Sequence, residues 1–287
     1  MVIVKIIGGL GNQMFQCAYA KALQQKGHEV KIDISAFETY KLHGGYQLDK
    51  YNIDLDSSIK DENDKFYKNT FFYKVLRRFG MDFSRRIKEK SLLFDKKFLE
   101  IDDNSYLDGY FQCEKYFKDI REIILKQFTI NQDISNYTKE IKNKIQNSQN
   151  SCSLHIRRGD FVNSTNINIH GACDIEYYKK AMKYLEEKVV NINYFIFSDD
   201  IEWVKENLAI QNAIYIDSKE KRIPHEDIYL MSLCKNNIIA NSSFSWWGAW
   251  LNQNEKKMVI APKRWFAGDK LESQSKDIVC ENWLRML

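Results

Sequence analysis

Short apolar runs alternate with amphipathic stretches along most of the chain, which is the pattern of an α/β protein. A β-rich run at residues 2–7 leads into a glycine-rich stretch at 8–13. A helical pattern follows at 14–26, and a second strand at 30–34. This order predicts a strand, a turn at the carboxyl edge of a parallel sheet, a helix and a further strand.

The same alternation restarts after residue 150. Strands are predicted at 151–156, 194–198, 213–216, 238–240 and 258–261, and helices at 175–189, 201–208, 227–235 and 244–252. The middle of the chain is less regular, with one amphipathic helix predicted at 117–128. Because residues 133–150 are polar and only weakly periodic, we predict two α/β domains, residues 1–150 and 151–287.

Composition narrows the class of protein. The 287 residues are 44% hydrophobic and 29% charged, which is typical of a folded globular protein with a sizeable core. No apolar run reaches the roughly 20 residues of a membrane span, and no signal peptide is evident, so we expect a cytoplasmic protein. The six cysteines and five histidines lack the spacings of a disulfide framework or a zinc site.

Positive charge is concentrated between Lys65 and Lys90, where nine Lys or Arg residues face two acidic ones. Aromatic residues are interleaved with them, so one interpretation is contact with an anionic surface, such as the inner membrane or a nucleic acid. The alternative is a helical hairpin with a solvated basic face. The spacing of the aromatic residues by three to four positions favours the hairpin, and we expect no nucleic-acid partner.

Polar residues follow three predicted strands of the second half. His155, Arg157 and Arg158 stand at the end of one strand, and Asp199 and Asp200 end the next. Adjacent arginines at a strand end are poor core material and match phosphate oxygens well. The carboxylates can accept from a nucleoside, and they can equally cap the helix that follows. Because the ends of parallel strands share one edge, we expect these groups to converge on an anion site.

Two further segments have the character of phosphate-binding turns. Ser242, Ser243 and Ser245 lie between a strand and a helix, where hydroxyls and backbone N–H groups can cap the helix and hold an anion. The stretch that contains Gly11 and Asn12 is a glycine-rich turn, but it lacks the spacing of a P-loop or of a dinucleotide fingerprint.

Several stretches, read in chain order, resemble the α-1,2-fucosyltransferases of glycosyltransferase family 11. They are residues 8–16 (GGLGNQMFQ), 109–117 (GYFQCEKYF), 155–160 (HIRRGD), 197–200 (FSDD) and 240–251 (ANSSFSWWGAWL). They span nearly the whole chain, and the first and last are long and specific.

The resemblance implies a GT-B-like fold, in which two Rossmann-like halves face each other across a cleft. It implies inverting, metal-independent transfer of L-fucose from GDP-fucose to the 2-hydroxyl of a terminal galactoside on a glycan, with no cofactor besides the donor. The second half would bind GDP-fucose and the first half the acceptor. Residues expected at the donor are Gly11, Asn12, His155, Arg157, Arg158, Asp199, Asp200, Ser242, Ser243 and Ser245.

The catalytic base is open at this stage. Asp160 is the first candidate because it follows the arginine pair, and Glu114 is the second. The group 225–227 is a third, and it also fits the start of a helix. Other readings of the chain are a transferase for another GDP-sugar, a protein O-fucosyltransferase, a nucleotide- or glycan-binding protein without turnover, and a membrane-surface protein.

Overall fold

The computed structural model describes residues 1–67, 78, 85–159, 171–216 and 223–287, in two units, Met1–Asn131 and Gln132–Leu287. The boundary lies earlier than the predicted one after residue 150. The reason is the helix Asn136–Asn147, which packs against Pro224–Leu233 of the second unit. A helix with a polar exposed face has a weak pattern in the sequence, although its buried residues fix its place in the fold.

The first unit contains a parallel sheet of four strands. They are β1 (Val2–Lys5), β2 (Val30–Asp33), β3 (Arg86–Lys88) and β4 (Ser105–Asp108). Their order is β2-β1-β4-β3, so the chain leaves β1 toward one side and returns on the other. The crevice between the carboxyl ends of β1 and β4 is therefore the topological switch point of this sheet, where α/β proteins bind ligands.

The second unit contains a parallel sheet of six strands. They are β5 (Asn150–Ile156), β6 (Ile192–Ser198), β7 (Ala213–Tyr215), β8 (Asn236–Ile238), β9 (Val259–Pro262) and β10 (Leu284–Met286). Their order, β10-β9-β8-β5-β6-β7, is the strand order of dinucleotide-binding folds, with β5 as the first strand. The switch point lies between β5 and β8.

Nine α-helices lie entirely within the described ranges, and six short 3₁₀ turns accompany them. The helices are α1 (Leu10–Gln25), α2 (Lys60–Tyr67), α3 (Arg121–Gln127), α4 (Asn136–Asn147), α5 (Ile175–Glu186), α6 (Ile201–Asn207), α7 (Pro224–Leu233), α8 (Ser243–Trp250) and α9 (Asp269–Glu272). The 3₁₀ turns are Ser35–Glu38, Leu42–Gly44, Leu48–Lys50, Lys96–Leu99, Glu114–Tyr116 and Lys118–Ile120.

Helix α1 begins at Leu10, four positions before the predicted start at residue 14. Asn12 and Gln13 already donate their backbone N–H groups to the carbonyl of Gly9 at 2.9 and 3.1 Å, which closes the first turn. Apolar and small residues lie on several sides of this helix, so it is buried from Leu10 to Leu23 except at Asn12. Gly11 and Asn12 thus belong to the helix and not to a loop.

The basic segment Lys65–Lys90 falls largely outside the described residues. Its described parts include the end of α2 and strand β3, whose Ile87 is exposed. A strand at Arg86–Lys88 contradicts a helical hairpin over the whole segment, because this short stretch hydrogen-bonds to β4. Among the described residues, no helix combines the length and apolar character that a membrane crossing requires.

Candidate functional site

Three polar strand ends of the second unit meet at one edge of the sheet, as predicted. Strand β5 pairs in parallel with β6 on one side and with β8 on the other, and Ile156 stands opposite Ser198. Carboxyl ends of parallel neighbours lie side by side, so residues 155–159, 198–200 and 239–243 border the switch point. This is the edge at which α/β folds of this strand order hold nucleotides.

Asp199 makes two contacts at this edge, one with Arg157 and one with Arg158. The Arg157 guanidinium lies 3.1 Å from Oδ2 of Asp199, and both side chains are partly buried. The other carboxylate oxygen accepts the backbone N–H of Arg158 at 2.8 Å. Asp199 therefore fixes the backbone after β5 and leaves the Arg157 guanidinium oriented at the edge of the sheet.

Gly159 has no room for a side chain. A Cβ atom built on it would lie 2.6 Å from Oδ2 of Asp199, closer than non-bonded atoms approach. The glycine thus allows the Asp199 carboxylate to sit beside the turn that follows β5. Asp160, the first candidate for the catalytic base, lies outside the described residues.

Arg158 is held from two sides. Its Nε lies 3.4 Å from Oδ2 of Asp200, and its guanidinium carbon lies 3.6 Å from the ring centre of Trp203. Asp200 also caps helix α6, since its Oδ1 accepts the backbone N–H of Trp203 at 3.2 Å. The capping alternative for Asp200 is therefore correct. The role of Trp203 could not be read from the sequence, because it depends on a contact across 45 residues.

His155 is buried near the end of β5, and its ring centre lies 5.6 Å from that of Phe244. The turn after β8 is built by Asn241, whose side chain donates to the carbonyl oxygens of Gly171 at 2.8 Å and Trp265 at 3.0 Å. Asn241 is a structural residue that sequence reasoning did not single out. Its amide connects the turn before helix α8 to the segments that contain Gly171 and Trp265.

The three serines have different surroundings. Ser242 caps helix α8, since its Oγ accepts the N–H of Phe244 at 3.3 Å, and both Ser242 and Ser243 are partly exposed. Ser245 is fully buried, and its Oγ donates to the carbonyl oxygen of Ser242 at 3.4 Å. The hydroxyl of Ser245 thus lies inside the protein, behind the more exposed Ser242 and Ser243, and its contact with a ligand stays a prediction.

The third candidate for the base, residues 225–227, lies where helix α7 packs against helix α4, and we call the contact of Glu226 with Ser135 and Thr138 the joint between these helices. Glu226 is buried and accepts hydrogen bonds from the backbone N–H of Ser135 at 2.8 Å, its hydroxyl at 2.7 Å and the Thr138 hydroxyl at 2.6 Å. Burial alone would raise the pKa of Glu226, but the hydroxyls of Thr138 and Ser135 hold it below its ordinary value. The carboxylate thus fastens the start of α4 to α7.

In the first unit, the glycine-rich turn is braced by amide side chains. Gly8 has a φ of 92°, and a Cβ atom on it would lie 2.9 Å from the Asn12 amide nitrogen. Asn12 in turn accepts from the Gln112 side chain at 2.7 Å. Asn12 therefore links the segment after β1 to the segment after β4, across the switch point of this sheet.

Gln13 and Gln16 are two fully buried residues that the sequence did not single out. Gln13 donates to the carbonyl oxygens of Gly8 at 2.9 Å and Gly45 at 2.8 Å. Gln16 accepts from the N–H of Ile7 at 2.9 Å and donates to the carbonyl of Gly109 at 2.9 Å. Buried amides with every bond directed at backbone hold three chain segments around the carboxyl end of β1.

Carboxylates of this unit lie at the same edge of the sheet. Glu89 follows β3 and accepts the N–H groups of Tyr110 at 2.7 Å and Phe111 at 3.1 Å, and burial raises its pKa. Glu114, the second candidate for the base, is partly exposed in the 3₁₀ turn Glu114–Tyr116. In the described ranges, no three His, Cys, Asp or Glu side chains are grouped so that they could hold a metal ion.

Two glycosyltransferases of Escherichia coli are similar to this chain over nearly its whole length. The chain is 36% identical over 293 residues to "Alpha-1,2-colitosyltransferase" of Escherichia coli, which covers 100% of this chain and 99% of that protein. It is 34% identical over 300 residues to "O-antigen biosynthesis glycosyltransferase WbnK" of Escherichia coli, covering 97% and 98% of the two chains.

Among solved structures, fucosyltransferase NodZ from Bradyrhizobium matches with a TM-score of 0.52 at 11% identity, over 86% of this chain and 91% of that one. Two parallel-sheet units, charged strand ends at a switch point and these likenesses define a glycosyltransferase with a GT-B-like fold, as predicted. The sequence model of glycosyl transferase family 11 matches residues 1–286, and the chain belongs to that family.

Proposed function

We propose that this family 11 enzyme transfers L-fucose from GDP-fucose to the 2-hydroxyl of a terminal galactoside on a glycan. The observation that carries the proposal is the group of Arg157, Arg158 and Asp199 at the switch point of a sheet with dinucleotide-binding strand order. The motif resemblance to α-1,2-fucosyltransferases supports the sugar and the linkage. Because the chain belongs to a glycosyltransferase family, it is an enzyme. We therefore set aside the interpretations as a binding protein without turnover and as a membrane-surface protein.

The proposed donor site is built from the second unit. When the pyrophosphate arrives, the Arg157 guanidinium exchanges its contact with Asp199 for phosphate oxygens, which accept two parallel N–H bonds. Arg158, held by Asp200 and Trp203, supplies a second fixed positive charge. We assign His155, at the end of β5, and the Asp199 carboxylate, once Arg157 has turned to phosphate, to the nucleoside. Ser242 and Ser243 present hydroxyl and backbone N–H groups at the start of α8.

The proposed reaction is a single displacement. The bond between fucose C1 and the phosphate oxygen breaks, the acceptor 2-oxygen forms the new bond to C1, and the configuration inverts. Charge develops on the leaving phosphate, where fixed cations stabilise the transition state. The acceptor proton goes to a carboxylate. Asp160 is the first choice and Glu114 the second, with no metal ion assigned to either step.

The first experiment measures GDP release from GDP-fucose with lactose as acceptor in the presence of EDTA. Wild type should turn over, and Arg157→Ala should lower kcat by about 100-fold or more, because one oriented charge at the leaving group is lost. Arg158→Ala should fall similarly, while Arg285→Ala on the edge strand β10 should keep wild-type turnover. If EDTA abolishes turnover and Mn²⁺ restores it, the metal-free mechanism is wrong.

A second donor is favoured by one comparison. A relative that covers the whole chain is named as a colitosyltransferase. Colitose is fucose without its 3-hydroxyl, so the two donors differ by one hydrogen-bonding group. A site that bonds this hydroxyl rejects the deoxy sugar by up to about 10⁴-fold, whereas an apolar site discriminates weakly. The ratio of kcat/KM for GDP-fucose and GDP-colitose therefore decides between the donors.

A further inference from the structure

The turn after β4 presents one tyrosine outward on a rigid backbone. Tyr110 is 41% exposed, and its N–H is held by Glu89 at 2.7 Å. Phe111, the next residue, is buried with a φ of 51°, a left-handed conformation that bulky residues rarely adopt. A Cβ atom on Gly109 would lie 2.5 Å from the Cβ of Glu89. The contacts with Glu89 thus hold the turn 109–111 in this conformation.

The segment after β2 presents two more rings. The ring centres of Tyr40 and His43 lie 6.4 Å apart, and His43 is exposed with a φ of 55°. The Cβ of His43 lies 3.5 Å from the position that a Cβ on Gly9 would occupy. Gln13 anchors this segment, because its side chain donates to the carbonyl of Gly45 at 2.8 Å and accepts the N–H of Gln47 at 3.0 Å.

All three rings belong to segments that follow the carboxyl ends of neighbouring strands. Strand β1 pairs with β2 on one side and β4 on the other, so the rings border the switch point of the first unit. Partial burial of its side chain raises the pKa of Tyr110, and the phenol of Tyr40 adds to the effect. Tyr40, His43 and Tyr110 therefore lie in segments that border the same switch point, and we call these three rings the aromatic rim.

We propose that the aromatic rim holds the acceptor galactoside by stacking against the sugar's apolar face. This inference rests on the proposed function and names the residues that bind its acceptor. One face of β-galactose carries only C–H groups, whose partial positive charge complements the negative face of an aromatic ring. The rim residues would bind the sugar, and Gln13 and Glu89 would position the two segments that carry them.

The test measures binding of methyl β-D-galactopyranoside to the full chain by saturation-transfer NMR, together with the KM for lactose and the Kd for GDP. Tyr110→Ala should raise the KM for lactose by about three- to tenfold, the value of one aromatic stacking contact. Tyr110→Phe should retain wild-type KM, because the ring remains. Tyr110→Leu should resemble the alanine variant, since it restores apolar bulk without a ring.

Two controls separate this inference from the proposed function. Val190→Ala, an exposed apolar residue of the second unit, should leave every parameter unchanged, and GDP affinity should be unchanged in all Tyr110 variants. If Tyr110→Ala and Tyr110→Leu bind the galactoside as wild type does, the aromatic rim is not the acceptor site, although the transferase proposal stands. If wild type neither binds nor fucosylates any galactoside, both proposals are wrong.

Discussion

At the scale of single residues, the charged groups of the second unit hold one another before they hold a ligand. Asp199 binds the Arg157 guanidinium with one oxygen and the Arg158 backbone with the other. Asp199 thereby keeps the Arg157 guanidinium oriented before phosphate binds, so that little conformational entropy is lost on binding. The arrangement depends on the absence of a side chain at Gly159.

Gly159→Ala tests that dependence. The added methyl would lie 2.6 Å from the Asp199 carboxylate, so Asp199 must move and both of its contacts weaken. We expect unfolding to become easier by about 1–3 kcal/mol and GDP to bind about tenfold more weakly. Thermal unfolding and GDP titration calorimetry measure the two effects.

Gly9→Ala is the matched control, because the nearest atom to its new methyl is the Cβ of His43 at 3.5 Å, an ordinary contact. Its free energy of unfolding should stay within about 0.5 kcal/mol of the wild-type value. Wild-type GDP affinity in Gly159→Ala would show that the position of Asp199 does not matter to the donor.

Single residues also differ in how well the sequence could predict their place in the site. Arg157, Arg158, Asp199 and Asp200 could be assigned to one edge because each follows a strand of recognisable pattern. The buried amide of Gln13 gave no comparable signal. Its role comes from backbone contacts with a segment more than 30 residues away, and local composition carries no information about such contacts.

At the scale of elements, the joint between α4 and α7 explains where the second unit begins. Glu226 accepts three hydrogen bonds from Ser135 and Thr138 at the start of α4. A buried carboxylate with three donors is stabilised in its charged form. The helix α4 is thereby part of the second unit although a polar stretch surrounds it.

Glu226→Gln should weaken this joint in a pH-dependent way. At neutral pH we expect a loss of about 1.5–3 kcal/mol, because hydrogen bonds to a charged acceptor are lost. Since the native pKa is lowered, wild type keeps its advantage above the ordinary value of 4.5 and loses it as the pH falls below that value. Urea unfolding between pH 3 and 7 measures the difference.

Glu176→Gln serves as the control for that series. Glu176 is an exposed residue of α5 paired with Lys179, and its replacement should change stability by less than about 0.5 kcal/mol at any pH. An advantage of wild type over Glu226→Gln that is constant from pH 3 to 7 would contradict the assignment of a charged Glu226.

The sequence identified elements best in the second half of the chain, where strands alternate regularly with helices. Strands β5 and β6 and helix α6 lie within two residues of their predicted bounds. Strands β3 and β4 were missed because both lie in the irregular middle of the chain, where charged and polar residues interrupt the apolar pattern. Strand β10 was missed as well. The predicted helix at 117–128 is a 3₁₀ turn followed by the shorter helix Arg121–Gln127.

At the scale of the whole molecule, two sheets each have their own switch point. The charged strand ends border that of Gln132–Leu287, and the aromatic rim borders that of Met1–Asn131. The fold class followed from the alternation of strands and helices. The position of the unit boundary did not, since it depends on the packing of helix α4 against helix α7.

Hydrogen exchange in the full chain tests this division of roles. GDP alone should slow amide exchange at residues 155–159, 198–200 and 241–244, because a bound nucleotide suppresses local opening. A galactoside should slow exchange at residues 40–47 and 109–112. Protection by GDP that falls mainly on the first unit would reverse the assignment of donor and acceptor.

The stacking of Arg158 on Trp203 has an optical consequence. The other five tryptophans are buried, whereas Trp203 is partly exposed with a guanidinium 3.6 Å from its ring. Any shift of that cation toward phosphate changes the field at a single indole, so nucleotide titrations should alter intrinsic fluorescence, and Trp203→Phe should abolish the change. The enzyme thus carries an unlabelled reporter through which donor binding can be timed by stopped flow, separately from sugar transfer.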